Sequence, residues 1–224
     1  MFGAGSKIGR LLLWASLACL VGGGLLWALS PMGVELSELK FKTPVVFWKL
    51  FPSAPLLLIL GSLGLLLRRG EGRGPAARIG LWAALAGLLL VAAGDVGLYH
   101  LGVDDAYIVA APAYRAFRAG LVLLAAGALL FAVADTRDRG LPAWVGLPFA
   151  IASLAGLLAF VQDLGPFGAA LWAIFGAGWA WLGLGLATGS LQGTGRPAGG
   201  AYRNPTSAGR QMGEGQTGEG RTAG

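Results

Sequence analysis

The sequence predicts an all-α polytopic membrane protein, a bundle of six transmembrane helices followed by a disordered C-terminal tail. Hydrophobic residues make up 55% of the 224 residues and charged residues 12%. That charged content is about half of what a soluble domain carries. The mean hydropathy is +0.67, and the apolar residues gather into six long runs separated by short charged segments. So much apolar surface requires lipid as its solvent.

Each apolar run is long enough, or nearly so, to cross a bilayer as a helix. A helix rises about 1.5 Å per residue, so about 20 residues cross a hydrocarbon core of about 30 Å. An open sheet would leave backbone groups unpaired in lipid, which makes helix the expected structure. The predicted helices, paired as three in–out–in hairpins, are Ile8–Leu29, Pro44–Leu67, Ala77–Leu101, Ala111–Ala134, Ala143–Val161 and Pro166–Ala187.

Two segments between or within these runs carry special features. Pro52 and Pro55 lie early in the second run, and because proline removes a backbone donor we expect a bend or break there. The segment Ser30–Thr43 holds charged residues among apolar ones, and its pattern fits a short strand or a surface helix. We expect it to lie on the membrane surface.

The distribution of Lys and Arg predicts the orientation, because cytoplasmic loops are enriched in both. Of the 17 basic residues, 12 fall on the side of the N-terminus and 5 on the other side. The short Arg68–Arg78 segment is decisive. We therefore expect residues 1–7 and the tail 189–224 to be cytoplasmic and residues 8–188 to be a multi-pass domain of the inner membrane. The first side holds Lys7, Arg10, Arg68, Arg69, Arg73, Arg78, Arg137, Arg139, Arg196, Arg203, Arg210 and Arg221, and the second holds Lys40, Lys42, Lys49, Arg115 and Arg118.

The residues after Gly189 are mainly Gly, Ser, Thr, Gln, Arg and Glu. Such a segment buries too little apolar surface to fold alone, so we expect it to be disordered.

Composition and motif searches exclude several functional classes. The net charge of +6 comes from short loop clusters and not from a basic face, so we expect no nucleic-acid partner. One Cys and one His rule out the usual structural zinc site. The chain contains no Walker A sequence, His-Glu-x-x-His sequence or Gly-x-Ser-x-Gly elbow, each of which would indicate a known chemistry. We therefore predict no cofactor, no metal and no catalytic residue.

Small and aromatic residues predict how the helices pack. Rows such as Gly80 with Ala84, and Ala169 with Ala173 and Ala177, recur at four-residue spacing, which lets helix backbones approach closely. Packing within one bundle is the expected role, and dimerisation is the alternative. Trp179 and Trp181 should point to different faces of the last helix, as packing or lipid-contact residues.

Asp95 is the most informative polar residue, because it lies inside the third apolar run. A carboxylate within a bilayer is costly and should face the bundle and find a partner. Lys49 and Arg118 lie at a similar predicted depth on the two neighbouring helices. Either cation can pair with Asp95 if the helices are adjacent, as short connections favour.

Further polar residues follow at the outer mouth of this region. They are Tyr99 and His100 at the end of the third run, Asp104 and Asp105 after it, and Asp163 between the fifth and sixth runs. One interpretation is an extracytoplasmic site for a cation, a proton relay or a polar solute, in which a histidine beside carboxylates senses pH. The other is a structural ion pair for Asp95 and a solvated acidic loop for the rest.

Three hypotheses about the function follow from the sequence. The leading hypothesis is a non-enzymatic structural or accessory membrane protein, because few polar groups lie within the membrane. The second is a carrier for a small solute or ion that uses Asp95 with Lys49 or Arg118; the predicted break at Pro52 supports it, since broken helices line transport sites. The third is a membrane-embedded enzyme that acts on a lipid or quinone through His100. The expected partners are the lipid bilayer and either another membrane protein or a second copy of the chain.

Overall fold

The computed structural model describes residues 7–39, 52–69, 74–98, 106–161 and 166–193. This part of the chain is built from helices, which confirms the predicted all-α class within it. The six helices of the described ranges are α1 (Lys7–Leu39), α2 (Ser53–Arg69), α3 (Pro75–Val96), α4 (Ala106–Arg137), α5 (Ala143–Val161) and α6 (Pro166–Gly193).

Four of these helices are long and apolar enough to cross a membrane. Their apolar spans are Leu11–Ser30, Pro75–Val96, Ala111–Arg137 and Phe167–Thr188. Two further helices are apolar but shorter, over Ser53–Leu67 and Ala143–Ala159. The apolar lengths are consistent with membrane insertion.

The observed helices extend beyond several of the predicted ends. α1 continues past Leu29 to Leu39. The segment Ser30–Thr43, whose pattern fits a strand or a helix, is therefore helical as far as Leu39. α4 begins at Ala106 and ends at Arg137, and α6 continues to Gly193. The prediction located apolar runs, which end where lipid contact ends, whereas backbone hydrogen bonding continues a helix into polar surroundings.

The prolines of the second run lie at the start of α2. Pro52 forms the preceding turn and Pro55 lies in the first helical turn. Proline is tolerated in the first turn, because the N–H that it lacks would have no helical partner there. The backbone N–H of Leu56 donates to the carbonyl of Pro52 at 3.3 Å. Residues 44–51, which were predicted to be helical, lie outside the described residues, as do most of the predicted tail and residues 99–101.

Each helix packs against the helix before and after it in the chain, and α6 also packs against α1, so the helices form a closed ring. Neighbouring helices run antiparallel. Gly23 of α1 faces Ala54, near the start of α2, whereas Gly64, farther along α2, faces Ser16, nearer the start of α1. The same reversal relates α3 to α4, α4 to α5, α5 to α6 and α6 to α1.

The α3–α4 pair is joined by a seam of small residues repeating every seven positions. Gly80, Gly87 and Gly94 of α3 face Gly127, Gly120 and Ala113 of α4. A Cβ added to Gly120 would lie 2.7 Å from the backbone nitrogen of Val91 and 2.8 Å from the carbonyl oxygen of Gly87. Such close backbone contact requires glycine, and it confirms the predicted packing role at Gly80 and Ala84. A seven-residue repeat suits two helices crossing at about 20°.

Edge-to-face aromatic contacts link four helices through the interior. The ring centroids of Trp27 (α1) and Phe175 (α6) lie 5.7 Å apart, and those of Trp179 (α6) and Phe149 (α5) lie 5.0 Å apart. Phe149 also contacts Phe131 of α4 at 6.3 Å. Such pairs contribute stabilisation beyond the area they bury.

Trp179 and Trp181 point to different faces of α6, as predicted. Trp179 is fully buried, whereas Trp181 is 42% exposed. The Nε1–H of Trp181 donates to the backbone carbonyl of Trp144 at 3.1 Å, which ties α6 to the start of α5.

A compact turn joins α4 to α5. The backbone N–H of Gly140 donates to the carbonyl of Asp135 at 2.7 Å, and that of Arg139 donates to the carbonyl of Thr136 at 3.1 Å. This pair of bonds is the Schellman motif that caps many helix C-termini. Arg139 occupies its left-handed position, with a φ of 59°. Beside the turn, the Asp138 carboxylate contacts Gly74 at the N-terminus of α3, where a negative charge is favourable.

Candidate functional site

Asp95 lies on the buried face of α3, close to the end of that helix. Its side chain is 0% exposed. Leu81 and Leu88, at seven-residue intervals before it on the same face, are also fully buried. Because seven residues make nearly two helical turns, the three side chains form one inward-facing row. Asp95 is thus the polar end of an otherwise apolar row.

Glycines on both sides of Asp95 bring the backbone of α4 close to it. A Cβ on Gly94 would lie 2.6 Å from the backbone nitrogen of Phe117, and one on Gly97 would lie 2.7 Å from the Cβ of Ala113. After Val96 the chain makes a π-helical turn at Gly97 and Leu98. The Gly97 N–H points back to the carbonyl oxygens of Ala93 and Gly94. The carboxylate is therefore enclosed beside a tight helix–helix contact.

Neither carboxylate oxygen of Asp95 has a hydrogen-bond partner among the described residues. Buried polar groups are nearly always hydrogen-bonded, and leaving a buried carboxylate unpaired costs several kcal/mol. A group of this kind therefore indicates a place where a ligand or another part of the protein can bind.

Arg118, a predicted partner of Asp95, lies on the exposed face of α4. Its Cζ atom lies 5.6 Å from the centroid of the Tyr114 ring. No hydrogen bond joins it to Asp95, whose oxygens have none within the described residues. The other predicted site residues, Lys49, Tyr99, His100, Asp104, Asp105 and Asp163, lie outside the described residues, and their convergence on Asp95 remains a prediction.

Three further polar side chains are fully buried in the described helices: Ser62, Asp135 and Ser153. The hydroxyl of Ser153 donates to the carbonyl of Phe149 at 2.8 Å, whereas the Ser62 hydroxyl has no hydrogen-bond partner within the described ranges. Asp135 lies at the opposite end of the bundle from Asp95, packed against Gly140 of the capping turn.

The prediction did not single out Asp135. The signal that was available is an aspartate four residues before Arg139-Gly140, the pair that follows the end of α4. Within the part of the chain that the structure describes, no group of three or more His, Cys, Asp or Glu side chains is placed to hold a metal ion.

Comparisons with known proteins do not narrow the function. No protein-family model, curated protein or solved structure matches this chain.

Proposed function

We propose that this chain is a non-enzymatic structural or accessory protein of the cytoplasmic (inner) membrane, which it crosses six times with both termini in the cytoplasm. The observation that carries the proposal is the packing of the ring. Glycine seams bring α3 against α4, and α1 against α6, at backbone contact distance. Side chains from four helices interlock in the aromatic core. Such contacts favour one fixed arrangement of helices.

The antiparallel ring supports six crossings. α2 and α5 contain 17 and 19 residues, and at 1.5 Å per residue they span about 26 Å and 28 Å, close to the hydrocarbon thickness. Each lies between two helices of opposite direction. If α2 and α5 each cross the membrane, the direction of successive helices alternates around the ring, as the packing requires.

Cysteine labelling tests the topology. In a Cys19→Ala background, Asp138→Cys places a thiol in the α4–α5 turn and Gly102→Cys places one in the segment between α3 and α4. A membrane-impermeant maleimide added to intact cells should label the Gly102→Cys protein and should label the Asp138→Cys protein only after permeabilisation. Labelling of both proteins from the same side would contradict the proposal.

A solute carrier with its site at Asp95 is the second candidate, and one observation favours it. The carboxylate is fully buried and has no hydrogen-bond partner among the described residues. A cation or a solute bearing a positive charge would offset that cost.

Thermal melting in detergent separates the two functions. The structural proposal expects that no small cation, amine or other polar solute raises the melting temperature of the wild type. It also expects that Asp95→Asn melts at or above the wild-type temperature, because the variant removes a buried charge. The carrier candidate expects a stabilising solute whose effect disappears in Asp95→Asn. A solute that stabilises the wild type alone would overturn the structural proposal.

A further inference from the structure

We propose that Arg115 and Arg118, on the exposed face of α4, bind the phosphate group of an anionic phospholipid at the end of the bundle where α4 begins. The site is separate from Asp95. This inference rests on the proposed membrane location of the protein, and it holds whether the protein is structural or a carrier.

The length of α4 places this pair at the edge of the hydrocarbon core. Arg118 and Arg137 are 19 residues apart, which is about 28 Å of helix, close to the thickness of the hydrocarbon. The one charged residue between them, Asp135, is buried. Arg118 and Arg137 therefore mark the two edges of the core, and Arg115 lies about one turn farther out, at the level of lipid headgroups.

Both arginines belong to the lipid-facing surface of the helix. They are three residues apart, which places them on one face, and both are exposed. The same face continues into the core with Val122 and Val133, which are 38% and 53% exposed. Helical side chains point toward the helix N-terminus, and for α4 that direction leads from the core toward the headgroups. The two guanidinium groups thus extend to where phosphates lie.

The chemistry of the pair matches a phosphate. A guanidinium presents a planar fork of N–H donors that binds two phosphate oxygens at once. The Tyr114 ring, 5.6 Å from the Arg118 Cζ, helps to orient that fork through a cation–π contact. Tyr114 is itself 51% exposed, as is usual for tyrosine at a membrane interface. Between Ala106 and Ala134 the sequence of α4 contains no acidic residue.

The surroundings favour a lipid over a free anion. Below the two arginines the exposed surface of α4 is formed by Ala119, Val122 and Leu123. The acyl chain of a lipid can lie along these side chains while the phosphate of the same lipid binds the guanidinium groups. Free phosphate would gain nothing from the apolar part.

Photocrosslinking in lipid nanodiscs tests the site. The full chain is reconstituted with a phosphatidylglycerol analogue that carries a diazirine on the acyl chain near the headgroup, and labelled peptides are mapped by mass spectrometry. The wild type should be labelled on the peptide that covers residues 111–126. Arg115→Gln with Arg118→Gln should lower that labelling about tenfold, because charge-assisted bonds are lost.

The matched control is Arg78→Gln with Arg137→Gln, which removes the same charge from two exposed arginines at the other end of α3 and α4. It should leave labelling of residues 111–126 unchanged. Arg115→Lys with Arg118→Lys keeps the charge but removes the fork, and should give intermediate labelling. This variant and competition by unlabelled phosphatidylglycerol decide the question if the glutamine variant does not fold.

Three results would overturn the proposal. The first is undiminished labelling of residues 111–126 in the glutamine variant, or unchanged labelling in the presence of excess phosphatidylglycerol. The second is equal labelling by a phosphatidylcholine analogue that carries the same diazirine, which would show that the site does not select an anionic lipid. The third is displacement of the lipid by millimolar inorganic phosphate, which would indicate a free-anion site. Wild-type labelling that phosphatidylglycerol alone displaces would support it.

Discussion

Arg139 shows how a single residue limits the stability of the α4–α5 turn. Its φ of 59° is left-handed, a conformation that costs a non-glycine residue about 1 kcal/mol or more. The Schellman hydrogen bonds from Arg139 and Gly140 require that conformation, and glycine is the residue that usually adopts it. The chain therefore holds a strained residue at this turn.

We expect Arg139→Gly to stabilise the protein by about 0.5–1 kcal/mol, because glycine adopts the left-handed conformation without a steric cost. The gain should appear as a melting temperature about 2 °C higher in detergent. Arg137→Gly is the matched control, since it removes the same charge within the last turn of α4; glycine there should destabilise by about 1 kcal/mol. Equal destabilisation by both changes would show that φ at position 139 carries no strain.

Asp95 and Arg118 show which residue-level predictions the sequence supports. The burial of Asp95 could be predicted from its place near the end of a long apolar run, since a carboxylate in or near lipid should face the bundle. The position of Arg118 depends on where α4 begins and how it is rotated. The apolar run starts at Ala111, whereas the helix starts five residues earlier, at Ala106. Hydropathy locates the hydrocarbon core, but it does not give the rotation of a helix about its axis.

At the scale of elements, some small residues of α3 lie in the seam with α4, whereas others lie outside it. Gly87 faces the backbone of Leu124 and Gly120, whereas its neighbour Ala86 is exposed. The sequence contains 39 glycines, so its composition alone does not reveal which of them lie in a contact. The seven-residue repeat of Gly80, Gly87 and Gly94 was present in the sequence, but the repeats on two helices identify a seam only when their mutual register is known.

We expect Gly87→Leu to lower the free energy of unfolding by about 2–4 kcal/mol, since a leucine there would force the two backbones apart. The melting temperature in detergent should fall by about 5–10 °C. Ala86→Leu adds a leucine at the adjacent, exposed position and should melt within about 2 °C of the wild type. Similar losses in both variants would indicate that Ala86 also lies in a contact, and unchanged melting of Gly87→Leu would contradict the seam.

At the scale of the whole molecule, closure of the ring joins the first helix to the last. Helical hairpins between consecutive runs follow from short connections, and the antiparallel order of neighbours could be predicted on that basis. The contact of α1 with α6 joins residues more than 150 positions apart, as Gly24 with Gly176 shows. Many ring and layered arrangements are compatible with the same six apolar runs. The contact of α1 with α6 could therefore not be predicted from the sequence, because it depends on how small residues pack in three dimensions.

A cysteine pair tests the ring closure directly. A Cβ on Gly183 would lie 3.0 Å from the Cβ of Leu20, slightly closer than the 3.5–4.5 Å that a disulfide usually spans. In a Cys19→Ala background, Leu20→Cys with Gly183→Cys should therefore crosslink under mild oxidation. A protease site inserted at residues 70–73 makes the result visible, because the crosslink would hold the two fragments together until a reductant is added.

Leu20→Cys with Gly185→Cys is the control for this pair. Gly185 lies two residues farther along α6, and a Cβ there would face Val145 of α5, 2.9 Å from one of its methyl groups. Its cysteine should leave the fragments separate, because two residues along a helix rotate the side chain by about 200°. Efficient crosslinking of both pairs would mean that α6 turns freely against α1. If neither pair crosslinks, α6 does not lie against α1 at this position, and the closed ring would have to be abandoned.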